Sequence, residues 1–198
     1  GSKILSFLLV PLYTAVLSTS EYGTVDLISS TASLLMPILL LSVFDATLRF
    51  GMDSTYKKAD VLTTSLVIEI KGSFLLLIGI IAFSILFPSQ ISRDYLIFLF
   101  VYFVLGATSQ IFNLYLKSKN QAAIIATSGI ICTFITCASN IVFLLWLKFG
   151  IVGYMISNTC GVLFQILYQL FFGKIYEDIR FKSYSNLSKP MLEYSSPL

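Results

Sequence analysis

The sequence predicts an all-α integral membrane protein with six transmembrane helices. Hydrophobic residues make up 57% of the 198 and charged residues only 12%, against about 45–50% and about 25% in soluble domains. Mean hydropathy is +0.88, and so short a chain has too little interior to hide that much apolar surface from water. The apolar residues also fall into continuous runs, without the period-two alternation of barrel strands. The polar interruptions between runs are brief; STSEYG, residues 18–23, reads as the turn joining the first two.

The runs cover about residues 4–19, 23–50, 61–87, 95–116, 121–147 and 151–172. A spanning helix needs roughly 17–25 apolar residues, so the last five suffice and the first is marginal. Lys and Arg in the connections set orientation. With a cytoplasmic start, inner connections hold nine of them (Arg49, Lys57, Lys58, Lys117, Lys119, Lys174, Arg180, Lys182, Lys189) and outer ones two, Arg93 and Lys148. The N-terminus and the 173–190 segment are therefore expected in the cytoplasm. Residues 1–172 read as the membrane unit and 173–190 as a cytoplasmic linker or an interfacial helix through Ile175, Ile179 and Phe181. Residues 191–198, MLEYSSPL, read as the start of a seventh span. Both ends are abrupt, so the chain is expected to be part of a longer one.

Composition narrows function. The net charge of +3 follows from the topological bias toward anionic inner-leaflet lipid and calls for no nucleic-acid partner. The three cysteines lie in apolar runs and their odd count gives no disulfide framework. There is no histidine, which removes the commonest metal ligand and general base; no enzyme activity, metal or cofactor is expected.

Polar groups inside spans normally face a bundle interior or a wet cavity. Asp26, Ser29, Ser30 and Ser33 share a helix face ahead of Pro37, although serine more often serves close helix packing. Pro37 and Pro11 are possible bends. Asp45 and Arg49 have i,i+4 spacing, either as an interfacial pair or with Arg49 as an anion contact at a cavity mouth. Glu69 and Lys71 are two residues apart and point to opposite faces, so they do not pair; depth decides between interface and cavity. Gln110, Asn113 and Lys117 form one stripe, Thr133, Thr136 and Asn140 another, and Asn158, Gly161, Gln165 and Gln169 a third. Such stripes either glue helices together or wall a hydrated path.

The segments GSKILSFLLVPLYTAVLSTSEYGTVDLISS and SLLMPILLLSVFDATLRFGMD closely resemble the start of bacterial polysaccharide flippases. These are the O-antigen and exopolysaccharide exporters of the multidrug/oligosaccharidyl-lipid/polysaccharide exporter superfamily. The resemblance rests on Gly1-Ser2-Lys3, Pro11-Leu12-Tyr13, Leu17-Ser18, Glu21-Tyr22-Gly23 and Leu48-Arg49-Phe50, with LKFGIVGYMISN and LEYSSPL later in the chain. It implies the N-terminal six-helix lobe of a two-lobe transporter of twelve or more helices in a bacterial or archaeal cytoplasmic membrane. Such a protein moves an undecaprenyl-pyrophosphate-linked oligosaccharide outward by alternating access. The implied partners are that substrate, membrane lipid, a C-terminal lobe and the polysaccharide polymerase machinery. Arg49, then Lys3 and Lys71, become pyrophosphate contacts, and Asp45 either pairs with Arg49 or serves proton or sodium coupling. Glu69, Asn113, Asn140, Asn158 and Gln165 complete the candidate cavity. The alternatives are a multidrug exporter or lipid II flippase of the same superfamily and, from another class, a membrane transferase.

Overall fold

The computed structural model describes residue 13 and residues 16–87, 91–179 and 185–195. Among them the chain is helical, without strands. The helices are α1 (Thr19–Leu39), α2 (Val43–Met52), α3 (Lys58–Leu86), α4 (Arg93–Ser118), α5 (Ala122–Asn140), α6 (Gly150–Phe172), α7 (Ile175–Asp178) and α8 (Ser185–Ser195). A π-helical stretch, Ile141–Trp146, prolongs α5. Four helices are long and apolar enough to cross a bilayer: α3, α4, α5 with its extension, and α6. Together α1 and α2 make a fifth candidate, bent by 58°. Ile70, Phe74, Ile81, Ile85, Phe134, Trp146, Phe171 and Phe172 face outward, a belt suited to lipid tails and not to water. The protein is a multi-pass membrane protein. The first expected span falls mostly outside the described residues, which hold four to five spans where the sequence suggested six.

The expected turn at STSEYG is narrower than the sequence suggested, because its own residues start α1. Ser18 is the N-cap, and the Glu21 N–H donates to Ser18 Oγ at 3.3 Å. The Ser18 N–H donates back to Glu21 Oε2 at 2.8 Å, completing a capping box that satisfies two otherwise unpaired amides.

The bend between α1 and α2 follows Pro37, whose missing N–H weakens the helix there. It is Leu41 and Ser42, at φ 47° and 51°, that turn the chain. The Ser42 N–H donates to the Pro37 carbonyl at 3.1 Å, a wide turn that ends α1. Gly72 of α3 makes room for this corner: a Cβ there would lie 2.8 Å from the Leu39 carbonyl oxygen and 2.6 Å from Leu40 Cδ2. A one-helix reading of residues 23–50 is thereby corrected to two helices meeting at a buried corner, with Leu40 fully buried.

Around that corner packs a core of α1 to α4, with Met36, Leu40, Val61, Leu62, Phe103, Ile111 and Tyr115 among its members. Helices α5 and α6 form the closest pair through Gly153, Ser157 and Gly161, buried and spaced by four on one face of α6. Small residues let helix backbones approach where apolar burial gives no drive. A Cβ on Gly161 would collide with Thr136 Oγ1 and stand 3.0 Å from the Cys132 carbonyl oxygen.

Residues 173–179 dock back onto the bundle. Ile175 is fully buried. Asp178 Oδ2 accepts from the Tyr115 hydroxyl at 2.6 Å and from Lys119 Nζ at 2.8 Å. Nearby, Lys58 Nζ donates to the Ser118 carbonyl at 2.7 Å. Helix α8 starts at Ser185 and crosses the expected boundary at 190/191, because Leu187 and Met191 fall on one face and are buried, packing into the α1–α4 core. Replacing Asp178 with Asn keeps the shape but removes the charge. It is expected to cost about 1–2 kcal/mol and to speed amide exchange in residues 173–179 selectively; unchanged exchange there refutes the role of this clasp.

Candidate functional site

The strongest candidate is a cleft of about 400 Å³ between α1, α4 and α6, within the roughly 300–1,000 Å³ range of small-ligand sites. Helix α1 contributes Ser33 and Met36. Helix α4 contributes Tyr102, Ser109, Gln110 and Asn113, and α6 contributes Asn158, Thr159 and Val162. The cleft lies part-way along spanning helices, yet its lining is rich in hydroxyls and carboxamides and carries no charge. Helical spacing puts Gln110 and Asn113 on one face of α4. Gly106 sits opposite Met36, whose Cε would be 2.7 Å from a Cβ added there, so α1 and α4 approach closely beside the opening.

Asn113 is held from behind. Gln169, fully buried on α6, donates from Nε2 to Asn113 Oδ1 at 2.8 Å and to Ser128 Oγ at 2.8 Å. The Ser128 hydroxyl donates in turn to the Ile125 carbonyl at 2.9 Å. The wall of the cleft is therefore tied through α6 to α5.

Of the residues singled out from sequence, the fold brings Ser33, Gln110, Asn113 and Asn158 together in this cleft and places the remaining candidate cavity residues elsewhere. Asn140 is fully buried and donates from Nδ2 to the Tyr13 hydroxyl at 2.9 Å, beside the edge-on Tyr13–Tyr154 ring pair. Gln165 is half-buried on α6 and is not part of the cleft lining. Asp45 and Arg49 share the exposed face of α2. Beyond that helix, Asp53 is held below the usual carboxylate range by the Thr55 backbone N–H, then its hydroxyl, with a smaller contribution from Arg49. Lys3 lies outside the described residues.

Glu69 and Lys71 diverge, as their two-residue spacing requires: Glu69 is 4% exposed and Lys71 faces outward. Glu69 lies 11 residues into α3, about 16 Å along its axis at 1.5 Å per residue. It is thus away from the helix end, and its burial and its contact with Thr108 place it at the α3–α4 seam. Thr108 of α4 donates to Glu69 Oε1 at 2.5 Å and shares its hydroxyl with the Val104 carbonyl at 2.9 Å. Glu69 is thus buried between helices and outside the cleft lining.

Sequence reasoning placed Gln169 on a stripe without recognising it as the buried anchor of the site. Tyr102 and Thr159 were missed altogether, since an aromatic or a threonine in an apolar run carries no distinct signal. No protein-family model, curated protein or solved structure matches the chain.

Proposed function

We propose that this chain is one lobe of a transporter that flips a lipid-linked oligosaccharide across a cytoplasmic membrane, for surface polysaccharide synthesis. The observation that carries this reading is the uncharged, hydrogen-bonding cleft within an otherwise apolar bundle. Unpaired polar groups are costly at membrane depth, whereas a hydrated head group passing through gives them partners. The sequence resemblance to polysaccharide flippases around Pro11-Leu12-Tyr13, Glu21-Tyr22-Gly23 and Leu48-Arg49-Phe50 supports the same reading.

On this proposal the chain works with a C-terminal lobe, and the two lobes rock about a shared site. The end of the bundle carrying Arg49, Lys57, Lys58, Lys117, Lys119 and Lys174 faces the cytoplasm by the positive-inside bias. Arg49, outward-facing there, meets the pyrophosphate, and the cleft receives the sugar. A multidrug exporter of amphipathic cations is the less favoured reading, because such cargo calls for an acidic lining and the cleft lining has no acid.

The test expresses the complete protein in a strain lacking its own polysaccharide flippase and labels surface glycan on intact cells. Restored glycan is expected, falling at least about tenfold (about 1.4 kcal/mol per factor of ten) in the Asn113→Ala, Asn158→Ala double variant at equal membrane abundance. Normal export by that variant removes the cleft from the mechanism. No restoration by well-inserted protein, across hosts of different glycan, rejects the function.

A further inference from the structure

The two sides of the cleft differ in the hydrogen bonding they leave for a ligand, and Asn113 carries the difference. On α1 and α6 the donors are already committed to the helices themselves. The Ser33 hydroxyl donates to the Ser29 carbonyl at 2.8 Å, and the Thr159 hydroxyl to the Met155 carbonyl at 2.9 Å. Asn158 Nδ2 donates to the Tyr154 carbonyl at 3.0 Å. What remains for a ligand on that side is chiefly acceptor: two hydroxyl lone pairs and the Asn158 Oδ1.

Asn113 on the α4 wall is the reverse, and Gln169 makes it so. Ser128 spends its only hydrogen on the Ile125 carbonyl, so it can only accept from Gln169, which fixes the Gln169 amide with Nε2 toward both neighbours. The second Nε2 hydrogen then occupies Asn113 Oδ1. With its oxygen engaged from behind, Asn113 has its NH₂ left to offer to the cleft.

We infer that this cleft selects an uncharged polyhydroxyl ring, with Gln169 as the positioning residue that sets the polarity of Asn113 on the α4 wall. A hydroxyl both donates and accepts, so vicinal hydroxyls can bridge the two walls. A carboxylate or sulfate only accepts and leaves the Ser33, Asn158 and Thr159 oxygens unpaired; an ammonium only donates and leaves the Asn113 NH₂ unpaired. Leaving buried polar groups unpaired is what makes such discrimination strong. The inference rests on the glycan reading of the cleft and narrows it: the sugar seated here is neutral, and the anionic part of any lipid-linked substrate lies outside the cleft.

The test uses the complete protein in phosphatidylcholine nanodiscs and saturation-transfer NMR with three probes that share one ring: methyl glucoside, methyl glucuronide and methyl glucosaminide. The glucoside is expected to bind at least about tenfold more tightly than either charged analogue, the range set by unpaired buried groups. Asn158→Asp, which places an anion on the acceptor wall, is expected to reverse the order in favour of the glucosaminide, a gain that misfolding cannot imitate. The Asn113 side-chain amide resonance is expected to shift on glucoside addition, and to lose that response in Gln169→Leu while protein-wide helicity is retained. Equal binding of the three probes, binding of none, or an unaltered Asn113 response in Gln169→Leu overturns the inference. Because binding is read without export, glucoside selectivity in a protein that restores no surface glycan refutes transport alone.

Discussion

Replacing Gly161 with leucine is expected to separate α5 from α6 and to leave little protein that survives extraction as a single species. A Cβ there already meets Thr136 and the Cys132 carbonyl. The carbonyl belongs to the α5 backbone, which cannot rotate out of the way as a side chain can. Overpacking costs about 1–3 kcal/mol when neighbours yield; here the cost is expected at or above the top of that range. The damage reaches the cleft as well, because Gln169 lies two turns further along α6 and bonds to Ser128 of α5. Size-exclusion profiles and thermal midpoints in detergent measure the effect. Gly161→Ala is the graded control, with an intermediate loss, and a wild-type profile for Gly161→Leu rejects the close α5–α6 packing.

The second large effect concerns Glu69. Lysine at this position places a cation in a seam where the side chain bonded to Glu69 is the Thr108 hydroxyl, a group that supplies no negative charge to pair it. An uncompensated buried charge costs about 3–5 kcal/mol, so Glu69→Lys is expected to abolish stable folding. Glu69→Gln keeps the shape and an oxygen that accepts from Thr108, and is expected to remain folded within about 1 kcal/mol of wild type. Comparable melting of all three proteins is incompatible with a buried Glu69. If Glu69→Gln folds but exports poorly, the carboxyl has a task beyond packing.

The spans were legible because lipid makes a simple demand: nearly every residue of a crossing helix must be apolar, and a continuous run such as 61–87 reads directly as α3. The corner between α1 and α2 was not. Pro37 hinted at it, but the chain turns at Leu41 and Ser42, residues that carry no glycine-like signal for a left-handed backbone. Face by face, the polar stripes were visible in the sequence. Which of them meet was not, because that depends on the order in which helices pack. Asn113 and Asn158 converge only because α6 lies against α4, while Asn140 on α5 turns instead to Tyr13. Gln165 and Gln169 share a stripe, and only packing distinguishes the half-buried one from the anchor. For Glu69 the missing information was the neighbour: its own run does not say that α4 covers it and brings Thr108 to its carboxyl.

Cohesion along the bundle axis is uneven. Among the described residues, nineteen buried side chains form the continuous cluster that runs from the middle of the helices to the end where α7 and α8 dock. The opposite end holds two clusters of three, around Leu144 and around Phe98. Regions with few buried contacts open at lower free energy than the rest. The bundle is therefore expected to loosen first at the end far from α7 and α8, like a fork whose prongs part before its handle, with α5 and α6 staying together as one prong because Gly153 seats against the Phe143 backbone.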